Sequence, residues 1–133
     1  VKDAAMDPIN LAKTARTPQI DFDFAGNKFT IAGESYPEDA SAFYGLLLEK
    51  ITKHFSGLSD TEISFRFELI YFNSSTAKIV MELFEALEEA AASGNQVTIT
   101  WVYEAGDDNI KELGEEFSEE LSDAKFMLEE IAV

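Results

Sequence analysis

Within FELIYFNSSTAK, Phe67 to Lys78, an apolar strand pattern stops at Asn73 and a helical pattern begins at once. Three hydroxyl residues, Ser74, Ser75 and Thr76, occupy that junction. In the first turn of a helix the backbone N–H groups lack intrahelical partners, and the helix dipole adds partial positive charge. A phosphate is well accommodated there. Asn73 or Ser74 also suits a plain N-cap, which needs one side-chain oxygen. The junction offers four such side chains, so it is a candidate for phosphorylation as well as a cap.

The elements that position this junction follow from periodicity. Residues 1–18 mix small, polar and charged types around Pro8 and Pro18 without a sustained period, as expected of a loosely attached arm preceding a domain over 19–133. Ile20, Phe22 and Phe24 alternate with Asp21 and Asp23; Gly26 and Asn27 then turn the chain, and Phe29 and Ile31 return it as a hairpin. Pro37, followed by Glu38 and Asp39, marks a helix start, and Phe43, Leu47, Ile51 and Phe55 keep helical spacing, widened by Leu46 and Leu48. His54, the single histidine, falls near the end of that helix as a dipole partner or surface residue.

Ile63, Phe65, Phe67, Leu69 and Tyr71 form one face of a long strand. Its other face turns apolar at Ile70 and Phe72, as if the strand entered the interior. A helix over 74–92 follows, with Ile79, Val80, Leu83, Leu87 and Ala90 inward and Glu82, Glu85, Glu88 and Glu89 outward. Val97, Ile99, Trp101 and Tyr103 give another strand, so this strand–helix–strand unit implies a right-handed crossover and parallel pairing. A third helix carries Ile110, Leu113, Phe117 and Leu121 as its stripe, and a short strand over 125–128 closes the chain. The expectation is a single α/β domain, with a mixed sheet of about five strands and amphipathic helices packed on it.

Composition narrows the function classes. With 46% hydrophobic residues and eleven Phe among 133, the chain has ample material for a core. A net charge of −16 opposes binding to nucleic acid or anionic membranes and favours basic protein surfaces. No Cys is present, so thiolate metal sites and cysteine nucleophiles are excluded. No stretch approaches the roughly 20 apolar residues of a membrane span, and a cytoplasmic setting is expected. Neither GxGxxG, GxxxxGK[ST] nor GxSxG occurs, the aspartates at 21 and 23 lack calcium-loop spacing, and the many carboxylates single out no acid–base pair. A non-enzymatic protein without cofactor or metal is expected.

Three stretches together, GESYPEDASAFYGLL from Gly33, FELIYFNSSTAKIVMELFEALEEAA from Phe67 and VTITWVYEAGDDNIKELGEEF from Val97, resemble the SiaC family of bacterial regulatory phosphoproteins. The resemblance covers about 18–128. The order of elements is more distantly similar to STAS domains of anti-sigma-factor antagonists, whose Asp-Ser-Ser turn carries a phosphorylated serine. A STAS-like fold is implied, and with it a non-catalytic regulator, modified by a dedicated protein kinase and reset by a PP2C-type phosphatase. Its unphosphorylated form would bind and activate a diguanylate cyclase, promoting biofilm or aggregation behaviour through cyclic di-GMP.

By position the implied acceptor is Ser74, the first hydroxyl after Asn73, with Ser75 and Thr76 as competitors. The family can have Thr at this point, and the STAS turn has Asp where this chain has Asn73. The implied partner surface comprises Asn73, Ser74, Ser75, Thr76 and Lys78 with Tyr36 from the adjoining loop at 33–37. Two alternatives share the fold: a small-ligand protein using Asn73, Ser74 and Tyr36 at the strand ends, and an anti-sigma-factor-antagonist type of partner switch. Monomer and dimer both stay open.

Overall fold

A computed structural model describes residues 7–133. At its centre is β4 (Glu62–Phe72), whose alternate residues Ile63, Phe65, Phe67 and Leu69 are all buried. Around it lie β1 (Ile9–Leu11), β2 (Gln19–Asp23), β3 (Lys28–Ser35), β5 (Gln96–Glu104) and β6 (Lys125–Ile131). The helices are α1 (Ala40–Ser56), α2 (Ser74–Ala92) and α3 (Asp108–Phe117), the last followed by a 3₁₀ turn over Ser118–Glu120. Strands lie in sequence order, antiparallel from β1 to β3 and parallel from β3 to β6.

Three successive right-handed crossovers that advance in one direction leave their helices on one face of the sheet. The aromatic contacts agree: Phe55 of α1 meets Phe29, Phe84 of α2 meets Phe67, and Phe117 of α3 meets Trp101. The opposite face carries no helix. Beneath α1 and α2, Phe22, Phe29, Phe65 and Phe67 form a continuous ring-to-ring layer.

Several sequence expectations change. The sheet has six strands rather than about five, because Ile9–Leu11, inside the 1–18 arm, pairs antiparallel with β2; residues 1–6 lie outside the described residues. Helix α1 begins at Ala40 with Asp39 as its cap, accepting from the Ala42 N–H at 3.1 Å, while Pro37 stays in the preceding loop. The inward stripe of α1 starts at Tyr44 instead of Phe43, and Leu46 is exposed. Helix α3 stops at Phe117, before Leu121, and β6 runs on to Ile131.

The largest difference lies in β4. Gly33 pairs with Leu69 but Glu34 with Tyr71, so Ile70 is an extra, bulged residue. A bulge shifts the alternation of side chains by one. Tyr71 therefore faces out at 52% exposure, Ile70 projects from the uncovered face at 46%, and Phe72 packs inward on Trp101 and Phe117. The strand does not gain a second buried face.

Three tertiary contacts complete the frame. Gly114, mid-helix in α3, lies so close to Trp101 that a Cβ would come within 2.3 Å of its ring. The Trp101 indole N–H donates to the Ile110 carbonyl at 2.8 Å. Glu88, expected on the outer surface, accepts from the N–H groups of Ser122, Asp123 and Ala124 and anchors the lead into β6. Burial raises its carboxyl pKa, but these three donors outweigh it and leave the net shift downward.

Candidate functional site

The strand-to-helix junction forms at the C-terminal ends of the parallel strands. Asn73 has extended backbone (φ −94°, ψ 179°) and is the N-cap: its Oδ1 accepts from the Thr76 N–H at 3.0 Å. Its own N–H donates to the Ser35 carbonyl at 3.3 Å, tying the turn to the last residue of β3. Because Ser35 is in register with Phe72, the Tyr36 loop is brought beside the turn.

The three hydroxyls separate sharply. Ser74 and Ser75 are exposed, and their N–H groups, at the first two helical positions, have no intrahelical acceptor. Thr76 is 1% exposed, and its hydroxyl donates to the Ser35 carbonyl at 3.1 Å. Ser35 Oγ lies 2.9 Å from Thr76 Oγ1 and 2.6 Å from Tyr44 Oη, and both Ser35 and Tyr44 are buried. One proton assignment satisfies every contact: Tyr44 donates to Ser35 Oγ, Ser35 donates to Thr76 Oγ1, and Thr76 donates to the Ser35 carbonyl. Burial pushes the Tyr44 phenol up to about 12, against the opposing effect of its bond to Ser35, so it stays a donor at neutral pH.

This chain of hydroxyls pins three elements, β3, α1 and α2, behind the exposed serines. Sequence reading missed both Ser35 and Tyr44. Their contacts to the turn span 41 residues in one case and nine in the other, and no local pattern announces them.

The remaining candidates sit around the turn. Tyr36 is half-buried, its N–H donates to the Arg16 carbonyl at 2.8 Å, and its ring meets the exposed Tyr71 edge-on at 5.7 Å. Lys78 is exposed on α2, one turn beyond Ser74. Of the small-ligand contacts Asn73, Ser74 and Tyr36, the Asn73 Oδ1 already accepts the cap bond, and Ser74 is exposed. His54 is at the far end of the sheet, wedged on Phe24 with Nε2 2.7 Å from Asn27 Oδ1. Among the described residues no group of three or more His, Asp or Glu could hold a metal ion, and no helix is long and apolar enough to cross a membrane.

An uncharacterized protein of Pseudomonas aeruginosa (strain UCBPP-PA14) is 30% identical over 118 residues, which is 88% of this chain and 92% of that protein. The crystal structure of apo-SiaC from Pseudomonas aeruginosa superposes with a TM-score of 0.82 at 27% identity, covering 93% of this chain and 99% of that one. SiaC from the same organism, in the crystal structure of diguanylate cyclase SiaD in complex with its activator SiaC, gives 0.86 at 27% identity, covering 92% and 99%. The family model of SiaC family regulatory phosphoproteins matches residues 11–131. With the strand ends, the capped turn and the exposed serines all inside that match, this chain belongs to the SiaC family of regulatory phosphoproteins.

Proposed function

We propose that the protein is a non-catalytic cytoplasmic switch whose unphosphorylated form binds and activates a diguanylate cyclase. Phosphorylation of Ser74 by a dedicated kinase releases the cyclase, and a PP2C-type phosphatase restores binding. The observation that carries this reading is the exposure of Ser74 at the N-terminus of α2, while the cap and the buried hydroxyl chain already hold the turn in place. Support for the cyclase as partner comes from the similar SiaC, which is the activator in the complex with SiaD.

A phosphate on Ser74 adds about −1.5 to −2 charges and three strong acceptors. The helix dipole stabilises it by about 0.3–1 kcal/mol, and Lys78 follows at the i+4 position, within reach of such a pair. The fold is therefore expected to survive modification. A partner packed over Ser74 would instead have to desolvate a dianion, and a penalty of about 3 kcal/mol weakens binding roughly a hundredfold. Ser75 is the exposed neighbour, whereas Thr76 would have to leave the core to be modified.

Fragmentation mass spectrometry of the 70–78 peptide from protein isolated from its native cells tests the acceptor, with Ser74→Ala in parallel. Phosphate on Ser74, and cyclase activation that Ser74→Ala retains but phosphoserine at 74 abolishes, is the expected result. Equal activation by the phosphorylated and unphosphorylated forms would sink the switch.

A further inference from the structure

We infer that the uncovered face of the sheet is a second docking surface, separate from the Ser74 turn, and that it receives a basic amphipathic helix from a partner protein. A groove of about 500 Å³ runs along the C-terminal ends of the strands, from Gln19 on β2 to Ile131 on β6, where the uncovered face meets the first turn of α3 at Asp107 and Ile110. Its floor is small and apolar: Ala32, the backbone of Gly33, the bulged Ile70, and Val102, which is 2% exposed. Gly33 has φ +120°, a conformation that other residues rarely adopt, and a Cβ there would meet Pro18 Cα at 3.6 Å. The bulge and this glycine together shape the trough and aim Ile70 into it.

The occupant follows from hydrogen bonding, span and charge. Strands β2 to β5 are bonded on both sides, so their main-chain groups offer nothing to an extended peptide laid across them. A docking segment must satisfy its own backbone, as a helix does. The groove crosses five strands, or roughly 19 Å at about 4.8 Å per spacing, which matches a helix of about 13 residues. Glu68, Glu104 and Asp107 line it against a single base, Lys13. Among the described residues Glu68 is paired with Arg66, whereas Glu104 and Asp107 enter no ion pair. An acidic rim around an apolar floor selects Lys or Arg flanking an apolar stripe.

A second copy of this chain does not fit. Each copy carries −16, its three helices are committed to the other face, and the outer sides of α2 and α3 are lined by Glu82, Glu85, Glu112 and Glu115.

The test is an NMR titration of the isotope-labelled, unphosphorylated protein with a 14-residue amphipathic Leu/Lys helix, and with a Leu/Glu helix of the same pattern as control. The expected shifts cluster at Ala32, Gly33, Ile70, Val102 and Ile131 with the Leu/Lys peptide alone. Affinity then falls at least tenfold in Ile70→Lys/Glu104→Lys, provided that variant melts at the wild-type temperature; should it lose its fold, the wild-type shift map decides. Shifts confined to the acidic outer faces of α2 and α3, unchanged affinity in a folded double variant, or equal binding of the Leu/Glu helix would each overturn the inference. Neither a cyclase nor a kinase enters this experiment, so its outcome is independent of the phosphorylation switch.

Discussion

The two faces of the sheet share every strand and differ in almost everything else. The covered face holds a layer of aromatic rings with Phe65 and Phe67 fully buried. On the uncovered face one register row reads Thr30, Arg66, Thr100 and Met127, with the Arg66 guanidinium bidentate to Glu129 at 2.9 and 3.0 Å and bonded to Glu68 at 2.6 Å. Hydrophobic stabilisation scales with the apolar area removed from water, so the fold rests on the first face. The second face is free to carry polar and charged side chains suited to recognition. At the first turn of α2 the two regimes meet: Thr76 belongs to the core, and Ser74 and Ser75, on the same turn, belong to the solvent.

The largest test of this contrast is Phe67→Ala, which removes the fully buried ring joining Phe65 to Phe84 and Trp101 and should cost about 3–5 kcal/mol in denaturant unfolding. A loss below 1 kcal/mol would show that stability is not concentrated on the covered face. Next is Thr76→Val, which keeps shape but removes the acceptor of the Ser35 hydroxyl and a donor to the Ser35 carbonyl, leaving Tyr44 as the one hydroxyl on Ser35; a loss of about 1–3 kcal/mol is expected, with Thr76→Ser restoring most of it. If both variants behave alike, the hydroxyl chain is not what pins the turn.

A smaller effect is expected from pH. Burial against the core lowers the His54 pKa below its usual 6.5, and its hydrogen bond to the Phe24 backbone only partly offsets this. The unfolded chain then binds more protons than the native one just below pH 6.5. Stability is full above that value and is lost as pH falls toward the depressed native pKa. Melting temperature should therefore decline between pH 7.5 and 5.5, and His54→Gln should flatten that slope; an equal slope in the variant would assign it to other groups. The smallest change is expected for Arg66→Met on the uncovered face. Its ion pairs are partly exposed, and a loss within about 1 kcal/mol should be measured, since solvent and salt screen such pairs.

Much of this molecule was legible locally. Alternation in Ile63–Leu69 and Val97–Trp101, helical spacing across 79–90, and the Asn73 cap specify the strand–helix–strand unit and the exposed turn, because each depends on neighbours within one or two turns of chain. Tertiary structure decided which hydroxyl is buried, through Ser35 and Tyr44. It also recruited Ile9–Leu11 to the sheet, placed Gly114 under Trp101, and turned Glu88 from a surface charge into an anchor for residues 122–124. The bulge at Ile70 belongs to the same class, since it is defined by register against β3 and not by the residues of β4. Local pattern fixes a side chain's direction relative to its own element, whereas burial and partner depend on which distant segment returns to meet it.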